Sequence, residues 1–157
     1  MIEVILTPAE AMMAAAVGAL RHAESLHSQR RDAHGLHTDK DGQALHILGA
    51  AGEIAVARVL GRYWGGDVCS FKRADIGASV QVRTRSRPEY DLIIRDNDDP
   101  AAVFVLVTGT PTRLTVHGWI RGAEAQREEW RQTHGHRPAA WFVPQDALRP
   151  LKQAQAA

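Results

Sequence analysis

The sequence predicts an α/β protein of the α+β kind, a mixed central β-sheet flanked by helices, and three observations carry that prediction. Apolar residues recur at helical spacing in two stretches, Met12 to Leu20 and Leu45 to Leu60. The stretch Val80 to Arg85 alternates apolar and polar residues, as a half-buried strand does. Val103 to Val107 is an unbroken apolar run of the kind buried on both faces of a sheet. At 157 residues the chain reads as one domain, long enough to bury about 68–70% of its unfolded surface. We divide it into an N-terminal helix and loop (1–42), a core (43–143) and a C-terminal turn and tail (144–157).

Taken in order, Thr7-Pro8-Ala9-Glu10 is a helix start, with a capping threonine, a proline at the first helical position and a glutamate completing a capping box. Met12, Met13, Ala16, Val17 and Leu20 then predict a helix to about Arg31, its apolar stripe packed in the core. Arg30 to Gly42 turns polar and reads as a loop. His22, His27, His34 and His37 lack the spacing of a metal site and read as solvent-facing. A second helix covers about Gln43 to Tyr63. Its glycines, Gly49 and Gly52, suit a backbone that approaches a neighbour closely.

Strands are predicted over Asp67–Phe71, Val80–Arg85, Tyr90–Arg95, Val103–Val107, Leu114–Ile120 and Ala140–Val143. Between the last two, Ala123 to Arg131 reads as a short charged helix anchored by Trp130. Asp96-Asn97-Asp98-Asp99-Pro100 reads as a solvated turn, and Pro144 to Leu148 as a helical turn before a Gln/Ala tail.

Net charge is +1, so no global field selects a partner and nucleic-acid contact must come from local clusters of Arg and Lys. Cys69 is the only cysteine, which excludes an internal disulfide and a cysteine-rich zinc site. The apolar run Ala11 to Leu20 is too short to span a bilayer, so we expect a cytoplasmic protein with no membrane partner, in the host cytoplasm if viral.

The chemistry concentrates around Asp75-Ile76-Gly77 and the strand after it. Alternation puts Val80, Val82 and Thr84 on one face and Gln81, Arg83 and Arg85 on the other. A carboxylate, an amide and a guanidinium together suit a phosphate and a divalent ion. Glu53 is the second carboxylate: its helix neighbours Gly49, Ala50, Val56 and Ala57 offer no salt bridge, so it sits either at the helix edge in water or held for chemistry, and we favour the second reading. Phosphodiester cleavage needs charge neutralisation and an activated water, which a carboxylate-held Mg²⁺ or Mn²⁺ supplies. Glu53, Asp75 and Gln81 are the candidate metal ligands. Arg83 is a candidate for phosphate binding and transition-state charge, and, being always protonated, not for a general base. Lys72, Arg73, Arg85 and Arg87 are candidates for nucleic-acid contact.

The order helix Glu53, then Asp75, then Gln81-x-Arg83 resembles the PD-(D/E)XK nuclease superfamily, in the form seen in small phage and prophage proteins. His117-Gly118-Trp119-Ile120-x-Gly122 is similar to the same proteins, so the resemblance covers roughly Gly49 to Ala123. It implies a restriction-endonuclease-like αβββαβ core and Mg²⁺-dependent cleavage of DNA. Glu53 then matches the helix glutamate, Asp75 the motif aspartate, Gln81 the second acidic position and Arg83 the lysine. Gln81 and Arg83 depart from that pattern, the first removing a full negative charge from the metal site, and Ala74 stands where the family has proline. The expected function is a metal-dependent DNA endonuclease. The alternatives are a nuclease-fold protein that binds nucleic acid or a protein without cleavage, and a phage accessory protein that engages a host factor. The first helix's apolar face also suits a homodimer.

Overall fold

The computed structural model describes residues 1–28, 39–68 and 73–152, with 39–41 as backbone. The chain opens with strand β1 (Ile2–Ile5), followed by helices α1 (Pro8–His27) and α2 (Asp39–Leu60). The capping box forms as the sequence dictates: the Thr7 hydroxyl accepts from the Glu10 amide at 3.3 Å, and the Glu10 carboxylate accepts from the Thr7 amide at 2.7 Å. Gly61 closes α2 at φ 60°. There the Arg62 amide donates to the Ala57 carbonyl (2.8 Å) and the Gly61 amide to the Arg58 carbonyl (3.2 Å), which stops the helix before Tyr63.

The face that α1 buries is not the one its large apolar residues mark. Ala14 and Gly18 are buried, while Met12, Met13, Leu20 and Leu26 are exposed. The physical reason is helix-to-helix closeness: a Cβ on Gly18 would lie 2.5 Å from the Ile47 backbone, so α1 meets α2 through its small residues. The two glycines inside α2 also part company. Gly52 presses on Thr84, where a Cβ would overlap the hydroxyl, whereas Gly49 has nothing within 4 Å among the described residues.

Strands β2 (Val80–Arg85), β3 (Leu92–Arg95), β4 (Val103–Thr110) and β5 (Arg113–Arg121) follow. Then come a single helical turn, α3 (Gly122–Ala125), a 3-10 turn (Glu128–Trp130), β6 (Arg131–Gln132), β7 (Ala140–Val143) and a 3-10 turn at Gln145–Ala147. The predicted helix Ala123–Arg131 is thus broken in two and its last residue is a strand. Asp67 and Val68 are not extended pairs, and 69–71 of the strand expected there lie outside the described residues. The predicted loop Arg30–Gly42 is shorter than expected, because α2 already begins at Asp39; its residues 30–38, with His34 and His37, and the tail from 153 lie outside the described residues.

The main sheet is mixed, in the order β1-β5-β4-β2: β1 and β4 run antiparallel to β5, and β2 runs parallel to β4. A second, antiparallel sheet has the order β3-β7-β6. The expected α+β class with a mixed central sheet is what forms, and the small second sheet is added to it. Helix α2 packs on one face of the mixed sheet through Ile54, Val82, Val105 and Val107, among others. The small sheet covers the other face, Leu92, Ile94 and Val143 meeting Phe104 and Leu106. The burial of β4 on both faces explains this: Val105 and Val107 serve the helices, and Phe104 and Leu106 serve the second sheet. Between α2 and α3 the chain runs through β2, β3, β4 and β5. Gly42–Leu60 is long and apolar enough to cross a membrane by length and composition, but in this fold it is the core helix against the sheet.

Candidate active site at the edge of the mixed sheet

Strand β2 is an edge strand, and the residues before it fold back along that open edge. Gly77, at φ 62°, makes the turn. The Asp75 amide donates to the Val80 carbonyl (2.9 Å), and Ile76 bridges Val80. Asp75 then uses its carboxylate as a partner strand would: Oδ2 accepts the Val82 amide at 2.7 Å. This satisfies an edge donor that has no strand beside it among the described residues.

The strand alternation holds. Val80 and Val82 belong to the core under α2, and Thr84 meets Gly52 of that helix. Gln81, Arg83 and Arg85 therefore point to the opposite face. The Gln81 amide nitrogen donates to the Arg73 carbonyl (3.0 Å). Arg83 donates to Asp98 Oδ1 (2.8 Å) and lies 5.1 Å from the Phe104 ring centre. Arg85 donates to the Asp91 carbonyl (3.0 Å) and stacks 4.3 Å from the Tyr90 ring centre, with Arg87 on the same ring at 5.7 Å. Lys72 lies outside the described residues.

Glu53 comes from the other face, on α2, and is 6% exposed. Its carboxylate has long-range partners that no search along its own helix reveals. Arg21 of α1 grips it with both terminal nitrogens, NH1 to Oε1 at 2.6 Å and NH2 to Oε2 at 2.9 Å. The Trp64 indole donates to Oε2 at 2.8 Å, and the Arg21 Nε donates to the Asp67 carbonyl at 2.9 Å. No neighbour on its own helix pairs with Glu53, as the spacing implies; the partner sits on α1. Arg21 is the only Lys or Arg on α1, and Glu53 is the only charged residue between Gly42 and Ala57. Two lone opposite charges on adjacent helices were a legible signal.

Asp75 stands between the two faces, and its electrostatics report all of these neighbours. Burial pushes its carboxyl up, the Glu53 charge adds to that, and the Val82 amide, Arg83 and Arg21 only partly offset it, leaving a pKa of about 6. Burial acts against the Arg21 guanidinium, but the hydrogen bond and charge of Glu53, with Asp75 and Asp67, hold it above its ordinary range. The fold thus brings Asp75 into electrostatic range of Glu53, Arg21 and Arg83. Gln81 and Arg83 stay on the far side of the strand from Glu53.

Among the described residues, no three His, Cys, Asp or Glu side chains converge as a metal-binding group, so a divalent ion would rest on Glu53 and Asp75. Their oxygens are compatible with one. Asp75 engages the Val82 amide through Oδ2, and Glu53 Oε1 accepts one hydrogen bond against two at Oε2, leaving acceptor capacity on each carboxylate. Magnesium is bound by one or two carboxylates together with substrate phosphates and water.

The acidic turn is largely exposed, as read from sequence, and two of its carboxylates also hold arginines. Asp98 holds Arg83 and accepts the Arg95 amide (2.9 Å), and Asp96 forms a two-armed pair with Arg131. The His117–Gly122 segment lies on β5 and serves packing. His117 is the extra residue where the β4–β5 register shifts, and it hydrogen-bonds Thr108 at 2.7 Å. A Cβ on Gly118 would meet the Arg149 carbonyl, and one on Gly122 the Asp99 carbonyl. No protein-family model, curated protein or solved structure matches this chain.

Proposed function

We propose that this protein is a divalent-metal-dependent nuclease that cleaves phosphodiester bonds in DNA at the edge formed by Asp75 and β2. One observation carries the reading: burial first, and the charge of Glu53 second, push the Asp75 carboxyl up to about 6, so two acids from separate elements lie within electrostatic range of one another. A crowded acid pair of this kind costs stability, and strongly perturbed carboxyls concentrate where chemistry is done. The order Glu53, Asp75, Gln81-x-Arg83 supports the same reading, as does the mixed sheet with α2 laid against β2. A bound Mg²⁺ or Mn²⁺ would neutralise phosphate charge and acidify a water.

The chain's own residues have separable tasks in this scheme. Arg21 and Trp64 fix the Glu53 carboxylate in one orientation. The β2 backbone fixes Asp75 through the Val82 amide. Arg83 presents a guanidinium whose fork matches phosphate oxygens, held ready by Asp98. Arg73, Arg85 and Arg87 extend positive charge along the strand and its flanks for the DNA backbone.

A second reading is favoured by one specific feature. Arg21 and Trp64 already satisfy Glu53, and Asp98 already satisfies Arg83, which suits a nuclease-like protein that binds nucleic acid without cutting it. Thermal unfolding with and without Mg²⁺ or Mn²⁺ near pH 8 separates the two. The nuclease reading predicts metal-dependent stabilisation of the wild type that Asp75→Asn abolishes. Equal melting temperatures with and without metal, together with retained DNA affinity, select the binder.

A further inference from the structure

We infer that the solvent face of α1 is a homodimer interface, and that its occupant is the same face of a second copy running antiparallel. Met12 is 71% exposed, Met13 51%, Leu20 56% and Leu26 55%. Ala16 and Ala23 lie between them, exposed on the same side. No ionised Asp, Glu, Lys or Arg belongs to the exposed positions from Ala9 to His27. Scattered surface hydrophobes are ordinary, but an uncharged stripe the length of a five-turn helix is not.

The arrangement of sizes points to a second copy. Met13, Ala16, Leu20, Ala23 and His27 follow the alternating three- and four-residue spacing of a helix seam. A two-fold axis between Ala19 and Leu20 sets Met13 opposite Leu26 and Ala16 opposite Ala23. The paired alanines let the helices close to about 8–10 Å, and the large residues seal both ends. The stripe offers on the order of 500 Å² of side-chain surface per chain, and its polar rim brings this towards the ~800 Å² per partner of a standard interface.

Other occupants fit less well. An anionic lipid surface calls for lysine and arginine along the stripe, yet the helix carries Glu10 and Glu24, and Arg21 is committed to Glu53. Residues 29–38 contain a single large apolar residue, Leu36, too little to cover the stripe.

The test is the mass of the full chain by sedimentation and light scattering from micromolar to submillimolar concentration. We expect twice the chain mass, returning to the chain mass in Leu20→Glu and in Met13→Glu, with the circular dichroism spectrum of the wild type retained. In a Cys69→Ser background, mixed Ala16→Cys and Ala23→Cys chains should cross-link at least ten-fold faster than either alone. A monomer at every concentration, or a dimer that survives both glutamate substitutions, overturns the proposal. Faster cross-linking of Ala16→Cys with itself overturns the antiparallel arrangement. A monomer that sediments with phosphatidylglycerol vesicles and loses that affinity in Leu20→Glu reassigns the face to lipid.

Discussion

Replacing Asp75 with asparagine removes a charge that the fold does not welcome. The folded carboxyl titrates at about 6 against an ordinary 3.8, and about 1.4 kcal/mol accompanies each pH unit of such a displacement. The product is about 3 kcal/mol, reduced towards about 2 by the partial solvent access of the side chain. The sign follows from which form the fold prefers. Because the folded value is raised, the stabilising contribution is complete below 3.8 and is lost as pH climbs through about 6. Asparagine has no such loss, and its amide oxygen still accepts the Val82 N–H. Asp75→Asn should therefore match the wild type near pH 4 and exceed it by about 2–3 kcal/mol above pH 7. Urea denaturation of both proteins across that range reads the difference directly. A variant that is less stable than wild type at pH 8, or a difference that does not change with pH, refutes the reasoning. The same substitution should eliminate cleavage, so gain in stability and loss of activity arise from one carboxylate.

Other outcomes follow from the same contacts. Glu53→Gln leaves the Arg21 guanidinium without its two-armed carboxylate in a largely buried setting, and should cost about 2–4 kcal/mol in chemical denaturation as well as abolishing cleavage. Gly52→Ala should destabilise by about 1–3 kcal/mol because its methyl overlaps Thr84, with partial recovery in Gly52→Ala/Thr84→Ala. Gly49→Ala, with open space around it, should stabilise by about 0.5–1 kcal/mol by restoring helix propensity. Asp98→Asn relieves Arg83 of its carboxylate, and DNA binding measured by fluorescence anisotropy should tighten at low salt, with a steeper salt dependence.

Local patterns carried much of this fold into the sequence. The Thr7–Glu10 box, the alternation of β2 and the doubly buried β4 are each written in a few adjacent residues, and each appears where its chemistry dictates. What escaped detection was set by distant partners. Strand β1 is four residues long, too short for its period to stand out, and is defined by pairing with β5. The buried face of α1 was misread because apolar size marked one side while helix closeness, through Ala14 and Gly18, selected the other.

At the candidate site, Glu53 and Asp75 drew attention through Glu53's lack of helix partners and Asp75's place before the strand. The Asp98 lock on Arg83 was not legible, because it joins separate elements, whereas the Arg21 lock left only the trace of two lone opposite charges on neighbouring helices. The face on which Arg83 emerges relative to Glu53 also depends on which side of β2 the helix packs. Alternation alone groups Gln81 with Arg83 but leaves that side open.

The most direct test of the central claim is conversion of supercoiled plasmid to nicked or linear forms in Mg²⁺ or Mn²⁺ by wild type, Glu53→Gln and Asp75→Asn, purified identically. The account predicts metal-dependent cutting by the wild type alone, with EDTA and either substitution stopping it. Intact plasmid with every protein, or cutting that persists when both carboxylates are removed, would contradict it.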